Sequence, residues 1–233
     1  MRRVLLIGGV AGLLAAPSAG AAGPPAIEQM VVFRDGDAVT RTVKAKQVRV
    51  RVGNRSCAAG DGTALAALVR SHVAKLRLRD FGSCSTRPRD GAGLFVRAIG
   101  RDRNRGQNGW VYKVGRRGAS AGAADPSGPF GRGRLRRGQR VTWFYCRLRD
   151  GGCQRTLDVS AKAEPGAVTA TVRGYDDEGR GVRVEGATVS AGGASGTTAA
   201  DGTVRLALSP GTRRLVAEKD GLVRSFAERV AVP

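Results

Sequence analysis

Two aromatic segments separated by a long loop constrain the fold of this chain more than any other feature. Residues 109–115 read Gly-Trp-Val-Tyr-Lys-Val-Gly, and residues 140–146 read Arg-Val-Thr-Trp-Phe-Tyr-Cys. Apolar and aromatic residues fall on alternate positions in both segments, which is the period of a β-strand with one covered face. We therefore expect the two strands to share one sheet. The stretch between them, residues 116–134, is rich in glycine and arginine.

The first residues have the pattern of a secretory signal peptide. Arg2 and Arg3 precede an apolar run over residues 4–16, and Ala-Gly-Ala at 19–21 is a small-residue cleavage site. The run is short for a bilayer span, although an uncleaved anchor is the alternative. We predict a signal peptide over residues 1–21, a secreted or cell-envelope location, and no membrane span after cleavage.

The four cysteines, Cys57, Cys84, Cys146 and Cys153, allow three disulfide pairings. An Asp-Gly hairpin signal at 150–151 would bring Cys146 and Cys153 together, which leaves Cys57 to pair with Cys84. An exported protein permits both disulfides. Because the chain has no C-x-x-C pair and its one histidine is distant in sequence, we expect neither a metal site nor a cofactor.

The first part of the chain predicts an α+β fold. Residues 27–32, 43–52, 75–79 and 94–99 have strand patterns, whereas residues 62–76 have apolar side chains at helical spacing. The apolar positions are Leu65, Leu68, Val69, His72, Val73 and Leu76. Asp61 or Thr63 could cap the start of this helix. One helix packed across a mixed sheet is the predicted architecture of residues 22–163.

The character of the chain changes at Ala-Lys-Ala-Glu-Pro-Gly, residues 161–166. Of the 40 basic and 19 acidic residues, 31 basic and 10 acidic residues precede position 164, and the rest of the chain is neutral overall. About seven short strands with turn signals follow this boundary. The pattern predicts a small all-β sandwich over residues 164–233.

Both parts resemble known families. The helix, the strand at 109–115 and the stretch Leu-Arg-Arg-Gly-Gln-Arg-Val-Thr-Trp at 135–143 are similar to a secreted bacterial domain family. That family is related to the C-terminal β-domain of transcobalamin and intrinsic factor. The resemblance implies a β-grasp-like fold over roughly residues 28–160, with cobalamin as one candidate ligand. Val114 and Gln139 depart from the family pattern.

A second resemblance covers the C-terminal part. The runs Gly-Ala-x-Val from Gly186, Thr-Thr-x-x-Asp-Gly from Thr197 and Pro-Gly-Thr-x-x-Leu-x-Ala from Pro210 resemble carboxypeptidase regulatory-like (prealbumin-like) domains. Members of that family are usually structural or adhesive attachments to secreted proteins. The resemblance implies a small β-sandwich domain.

Candidate binding residues lie on the aromatic strands and in the long loop. Trp110, Tyr112, Trp143 and Tyr145 could form a platform for a small molecule or a glycan, although two of them could instead fill the core under the helix. Phe130 could cover a ligand from the loop. The loop could also be a solvated insertion, because the entropy of loop closure grows slowly with length.

The excess of arginine supplies a second set of candidates. The loop and its flanks carry six arginines that could attract an anionic group: Arg116, Arg117, Arg132, Arg134, Arg136 and Arg137. A net charge of +21 suits a phosphate polymer, a nucleic acid or an acidic glycan, or it reflects a GC-rich genome. We expect no specific nucleic-acid partner.

The sequence favours a non-enzymatic, secreted binding protein. No metalloprotease motif, P-loop or dinucleotide-binding motif occurs, and the carboxylates before residue 160 lie mostly in turns or beside arginine. The predicted ligand is a small molecule or glycan held at the aromatic sheet. The alternative is a structural envelope protein whose basic part adheres to anionic cell-wall polymers.

Overall fold

The computed structural model of the protein describes residues 23–82, 84–149 and 151–233. The predicted signal peptide and Asp150 of the predicted hairpin turn lie outside these residues. Of the described residues, 50% are strand and only 6% are helix, so the fold is mainly all-β. The predicted α+β class is therefore wrong, because hairpins rather than a helix cover most of the first core.

The elements up to residue 146 form three sheets around one short helix. Within the described residues they are β1 (Ala26–Val32), β2 (Ala38–Lys44), β3 (Val48–Val52), β4 (Arg55–Ala59), α1 (Ala64–Arg70), β5 (Leu76–Asp80), β6 (Leu94–Ile99), β7 (Asp102–Arg103), β8 (Gly109–Val114), β9 (Arg117–Gly118) and β10 (Arg140–Cys146). A 3-10 helix, Pro88–Gly93, precedes β6. The sheets are ordered β2-β1-β10-β8-β9, β3-β4 and β5-β6-β7.

The two aromatic strands are neighbours in the five-stranded central sheet, as predicted. Trp143 of β10 lies opposite Tyr112 of β8 in antiparallel register, and β1 pairs with β10 in parallel. The prediction of one covered face is wrong, because the sheet is buried on both. Trp143 faces the first core, whereas Phe144 faces a smaller cluster with Val223 of the C-terminal part. Burial on both faces explains why β10 is apolar at almost every position.

The helix is shorter than its apolar pattern predicts. Thr63 caps α1 by accepting a hydrogen bond from the Ala66 N–H, as one of the two predicted caps, but the helix ends at Arg70 instead of residue 76. The Ser71 hydroxyl donates back to the Leu68 carbonyl, and His72 adopts a positive φ of 49°. From Leu76 the alternation of leucine and arginine continues as β5, because the period of two suits a strand.

The predicted strand over residues 43–52 is two strands in different sheets. Its first residues end β2, and its last residues form β3, which pairs with β4. Ala45, between them, is fully buried and donates its N–H to the Pro25 carbonyl. The chain leaves the central sheet at this buried residue and folds over the first core.

The C-terminal strands form a β-sandwich, in agreement with the predicted architecture. They are β11 (Thr156–Glu164), β12 (Ala167–Tyr175), β13 (Gly181–Arg183), β14 (Thr188–Ala191), β15 (Ala194–Thr197), β16 (Thr203–Ala207), β17 (Gly211–Glu218) and β18 (Glu228–Val232). One sheet contains β11, β12, β13 and β16, and the other is ordered β15-β14-β17-β18. Buried residues of both sheets, among them Val172 and Leu215, form a single second core.

The predicted boundary at residues 163–164 falls at the end of β11. This strand pairs with β12 along its whole length, and its residues Leu157 and Val159 lie in the second core. The strand that precedes the charge change is thus part of the sandwich. Independent folding of the two parts stays a prediction.

The disulfides join the pairs predicted from the sequence, Cys57 with Cys84 and Cys146 with Cys153. The first ties β4 to the turn after β5, and the second ties the end of β10 to the start of the C-terminal part. Two disulfides are consistent with an extracytoplasmic protein. Within the part of the chain that the structure describes, no helix is long and apolar enough to cross a membrane.

Candidate functional site

The four aromatic residues predicted as a platform are all buried. Trp110, Tyr112, Trp143 and Tyr145 are between 1% and 8% exposed and belong to the first core. Tyr112 stacks on Trp143 with ring centroids 4.9 Å apart, and Trp110 meets Tyr145 edge to face at 6.0 Å. The structure brings the four together as core packing. Tyr112 and Trp143 also line one cavity, and Tyr145 lines another.

Polar contacts fix three of these rings at the rim of the core. The Trp110 indole N–H donates to the Asp102 carbonyl at 2.9 Å, and the Tyr145 hydroxyl donates to the Arg103 carbonyl at 2.9 Å. The Tyr112 hydroxyl donates to the Ala121 carbonyl at 3.0 Å, and burial raises its pKa above the ordinary value. In contrast, the buried Trp143 indole N–H has no hydrogen-bond partner among the described residues.

The loop at 116–134 packs onto the first core. Ala123 and Ala124 are buried, and the Leu65 N–H at the start of α1 donates to the Ala123 carbonyl. Phe130 is half-buried against the same core, and the Arg117 guanidinium lies 5.3 Å from its ring centroid. Phe130 therefore contributes to packing, and no aromatic contact joins it to Trp110 or Trp143 within the described chain.

The six predicted anion-binding arginines do not form one cluster of free cations. Arg116 forms an ion pair with Asp158 at 2.7 Å, which raises the pKa of its guanidinium, and Arg134 donates to the Pro126 carbonyl. Arg117 lies against the Phe130 ring. The remaining three are exposed and form no ion pair within the described residues: Arg132, Arg136 and Arg137. Half of the predicted set thus serves packing, ion pairing or hydrogen bonding inside the protein.

A basic aromatic surface lies elsewhere, on the β5–β6 hairpin. We call it the arginine–phenylalanine face, and its exposed side chains are Arg77, Arg79, Phe81, Phe95 and Arg97. Phe81 and Phe95 are 64% and 45% exposed, and their ring centroids are 5.8 Å apart. The Arg79 guanidinium lies 4.5 Å from the Phe81 ring centroid. None of the three arginines forms an ion pair within residues 23–82, 84–149 and 151–233.

The carboxylate of Asp80 holds this face in shape. Its side chain is 1% exposed, and it accepts hydrogen bonds from the Gly82 and Cys84 N–H groups and from Arg55. These contacts, with the disulfide at Cys84, fix the turn that presents Phe81. Arg49 and Arg51 on the neighbouring strand β3 are also exposed and extend the basic surface.

A second feature is a cavity of about 450 Å³ between the outer edges of β6 and β8. We call it the edge slot. Its lining residues are Leu94, Phe95, Val96, Val111, Tyr112, Lys113, Gly118, Ala119, Ala121, Gly122, Ala123, Trp143, Cys153 and Asp177. Its volume lies in the range typical of ligand pockets. Phe95 belongs both to the slot and to the arginine–phenylalanine face.

Lys113 closes one wall of the slot as a buried cation. Its ammonium donates to the Tyr175 and Asp176 carbonyls at 3.0 Å each and lies 3.2 Å from an Asp177 carboxylate oxygen. Removal from water lowers the pKa of Lys113, and the Asp177 charge opposes this effect. Since Asp177 is already paired, the slot presents no free carboxylate among its described lining residues.

Sequence reasoning missed Phe81 and Phe95. The signal was present in the alternation of Leu-Phe-Val-Arg at 94–97, where Phe95 shares its phase with Arg97 and opposes the buried positions. An aromatic residue on the polar phase of a strand indicates an exposed ring. The two tryptophans, in contrast, both lie on the buried strands β8 and β10.

The long loop also contains a short motif that is found in serine hydrolases. Residues 118–122, Gly-Ala-Ser-Ala-Gly, match the G-x-S-x-G pattern of serine hydrolases. That motif requires a strand, a sharp turn and a helix, but no helix follows Ser120 in the described loop. Within the described residues, no group of three or more His, Cys, Asp or Glu side chains could hold a metal ion.

Comparison of the chain with protein families, curated proteins and solved structures gave no match. The two family resemblances drawn from the sequence therefore stay expectations.

Proposed function

We propose that this chain is an extracytoplasmic binding protein that holds an anionic polysaccharide on its arginine–phenylalanine face. The observation that carries the proposal is the exposed pair Phe81 and Phe95, which stands among three arginines that form no ion pair in the described chain. Two large aromatic rings in contact with water are costly for a protein that uses them only for packing.

The chemistry of the face suits an acidic sugar polymer. An arginine guanidinium binds carboxylate, sulfate or phosphate through two parallel hydrogen bonds, and the phenylalanine rings offer flat apolar surfaces to a sugar ring. Arg49 and Arg51 continue the positive surface along β3, so the site suits a chain of repeated anionic groups. A glycan was also the ligand predicted from the sequence, but the proposed site is the arginine–phenylalanine face and not the buried tryptophans.

Titration with heparin as a sulfated probe, and with dextran as a neutral one, tests the proposal. The triple variant Arg77→Gln, Arg79→Gln, Arg97→Gln should bind heparin about tenfold or more weakly and lose part of the salt dependence, because fewer cations are displaced by salt. The double variant Phe81→Ser, Phe95→Ser should weaken binding while it leaves the salt dependence unchanged, because it removes no charge.

The control carries the same loss of charge on the C-terminal sandwich: Arg173→Gln, Arg214→Gln, Arg229→Gln, all of them exposed positions. Its affinity for heparin should stay close to that of the unaltered protein. Equal losses in both triple variants would contradict the proposal and leave only general charge attraction. Tighter binding of duplex DNA than of heparin, with the same sensitivity to the variants, would also count against a polysaccharide.

A further inference from the structure

The edge slot is bordered by two strand edges whose hydrogen-bonding groups face each other. The bond from the Phe81 N–H to the Gly93 carbonyl sets the phase of the β5–β6 ladder. In an antiparallel ladder, alternate residues bond to the partner strand. The backbone groups of Val96 and the Leu94 carbonyl therefore point away from β5 and toward β8, whereas the Leu94 N–H donates to the Gly91 carbonyl.

The same argument applies to β8. The bond from the Gly115 N–H to the Arg140 carbonyl sets the phase of the β8–β10 ladder, so the backbone groups of Trp110 and Tyr112 point away from β10. The Tyr112 carbonyl accepts from the Ala119 N–H at 3.1 Å. The Tyr112 N–H has no partner in the described chain, and it faces the slot.

The side chain of Asn104 bridges the gap between β6 and β8. Its side-chain amide donates to the Val96 carbonyl at 3.0 Å and accepts from the Trp110 N–H at 2.9 Å. One amide group thus bonds to both edges at once, as a peptide group of an intervening strand would. Beyond Asn104 the same gap continues as the open slot, with no amide in the described residues to replace it.

We propose that the edge slot binds a short, extended, acidic segment of a partner protein, which continues the line of the Asn104 amide and pairs with both β6 and β8. Peptides commonly bind to proteins by adding a strand to an open edge. The inference does not depend on the proposed polysaccharide site.

The walls of the slot fit this occupant. Small residues, Gly118, Ala119 and Ala121, close one end and leave room for a backbone. The exposed Arg97 and Arg117 adjoin the lining residues Val96 and Gly118, so acidic side chains at the ends of the segment would meet positive charge.

Hydrogen exchange of the full-length protein with a defined peptide mixture tests the proposal. The mixture holds capped five-residue peptides with glutamate at both ends and Ala, Val, Ser or Thr at the three central positions. Exchange of the Tyr112 and Val96 amides should slow about tenfold or more, because open edge amides become hydrogen-bonded. Unchanged exchange at both amides with the mixture at saturating concentration would overturn the proposal.

Three controls separate backbone pairing from general attraction. The same peptides with N-methylated central residues should give no protection, and peptides with lysine at both ends should bind much more weakly. Ala121→Phe, which fills the slot, should abolish protection, whereas Ala200→Phe, at an exposed position of the sandwich, should not. Equal protection by the N-methylated peptides would refute strand pairing, and equal protection by the lysine peptides would refute the acidic preference.

Discussion

Lys113 shows how far a single residue can depart from what its position in the sequence suggests. Its place in the alternation of β8 predicts a solvent-facing side chain, yet it is 1% exposed. The C-terminal part covers that face of the sheet, and the ammonium reaches the end of β12 there. No local pattern in the sequence could indicate this contact, because its partners lie more than sixty residues away.

Replacement of Lys113 by methionine should lower the free energy of unfolding by about 3 kcal/mol, because the Tyr175 and Asp176 carbonyls and the Asp177 carboxylate lose their partner. Urea unfolding measures this change. The matched control is Arg116→Gln, whose side chain is 60% exposed and paired with Asp158, and it should cost about 1 kcal/mol or less.

The pH dependence of the same variant gives a second readout. Since the pKa of Lys113 is lowered in the folded protein, the unfolded chain binds more protons at alkaline pH below the ordinary value of 10.5. Stability contributed by this group therefore rises as the pH increases toward 10.5. The difference in stability between the native protein and Lys113→Met should grow over that range, and a constant difference would mean that Lys113 titrates normally.

At the scale of elements, the loop at 116–134 acts as part of the core. Besides the bond from Leu65 to Ala123, the Leu135 N–H donates to the Gly62 carbonyl, so both ends of the loop support the start of α1. A short helix has few internal hydrogen bonds and depends on such contacts. Replacement of residues 118–131 by a short linker should therefore lower the melting temperature.

Two glycines of this loop test how tightly it is folded. Gly128 has a φ of 84°, and a Cβ there would overlap the Gly133 carbonyl; Gly131 has a φ of 68° with open space around it. Gly128→Ala should cost about 3 kcal/mol, from strain and displaced backbone. Gly131→Ala should cost about 1 kcal/mol, from its conformation alone. Equal melting temperatures for the two variants would mean that the loop is not held in this shape.

The elements that the sequence predicted well are those with a local signal. The strand over 94–99 matches β6, and both aromatic strands are present. The Asp-Gly signal correctly predicted the pairing of Cys146 with Cys153. The predicted helix was too long, because Val73 and Leu76 fit a helical pattern and a strand pattern equally well. In the site, the aromatic strands were placed in the right sheet, but their burial depends on hairpins and on the sandwich, which no short pattern reveals.

The whole molecule depends on contacts between its two parts. Val223 and Phe226 of the C-terminal part pack on Met30, Val32 and Phe144 of the central sheet. Arg140 adds an ion pair to Glu28 and another to Glu228, so it links β1 and β10 to β18. We infer that the sandwich serves as the second cover of the central sheet, in addition to being a fold of its own.

Fragments of the C-terminal part test where the folding unit begins. Residues 165–233 lack β11 and with it Leu157 and Val159, whose burial is worth about 4 kcal/mol together. A fragment of residues 155–233 should unfold cooperatively on heating, whereas residues 165–233 should be markedly less stable. Equal cooperative unfolding of both fragments would place the boundary after β11, where the charge pattern indicates it.

The parallel pairing of β1 with β10 has a consequence for the order in which the molecule forms. Glu28 lies opposite Arg140, so β1 can pair with β10 only after 112 further residues, although β2 follows it directly. Distant pairings of this kind slow folding. During synthesis β1 and β2 can form at most a marginally stable hairpin, and the central sheet is complete only once β10 has been made.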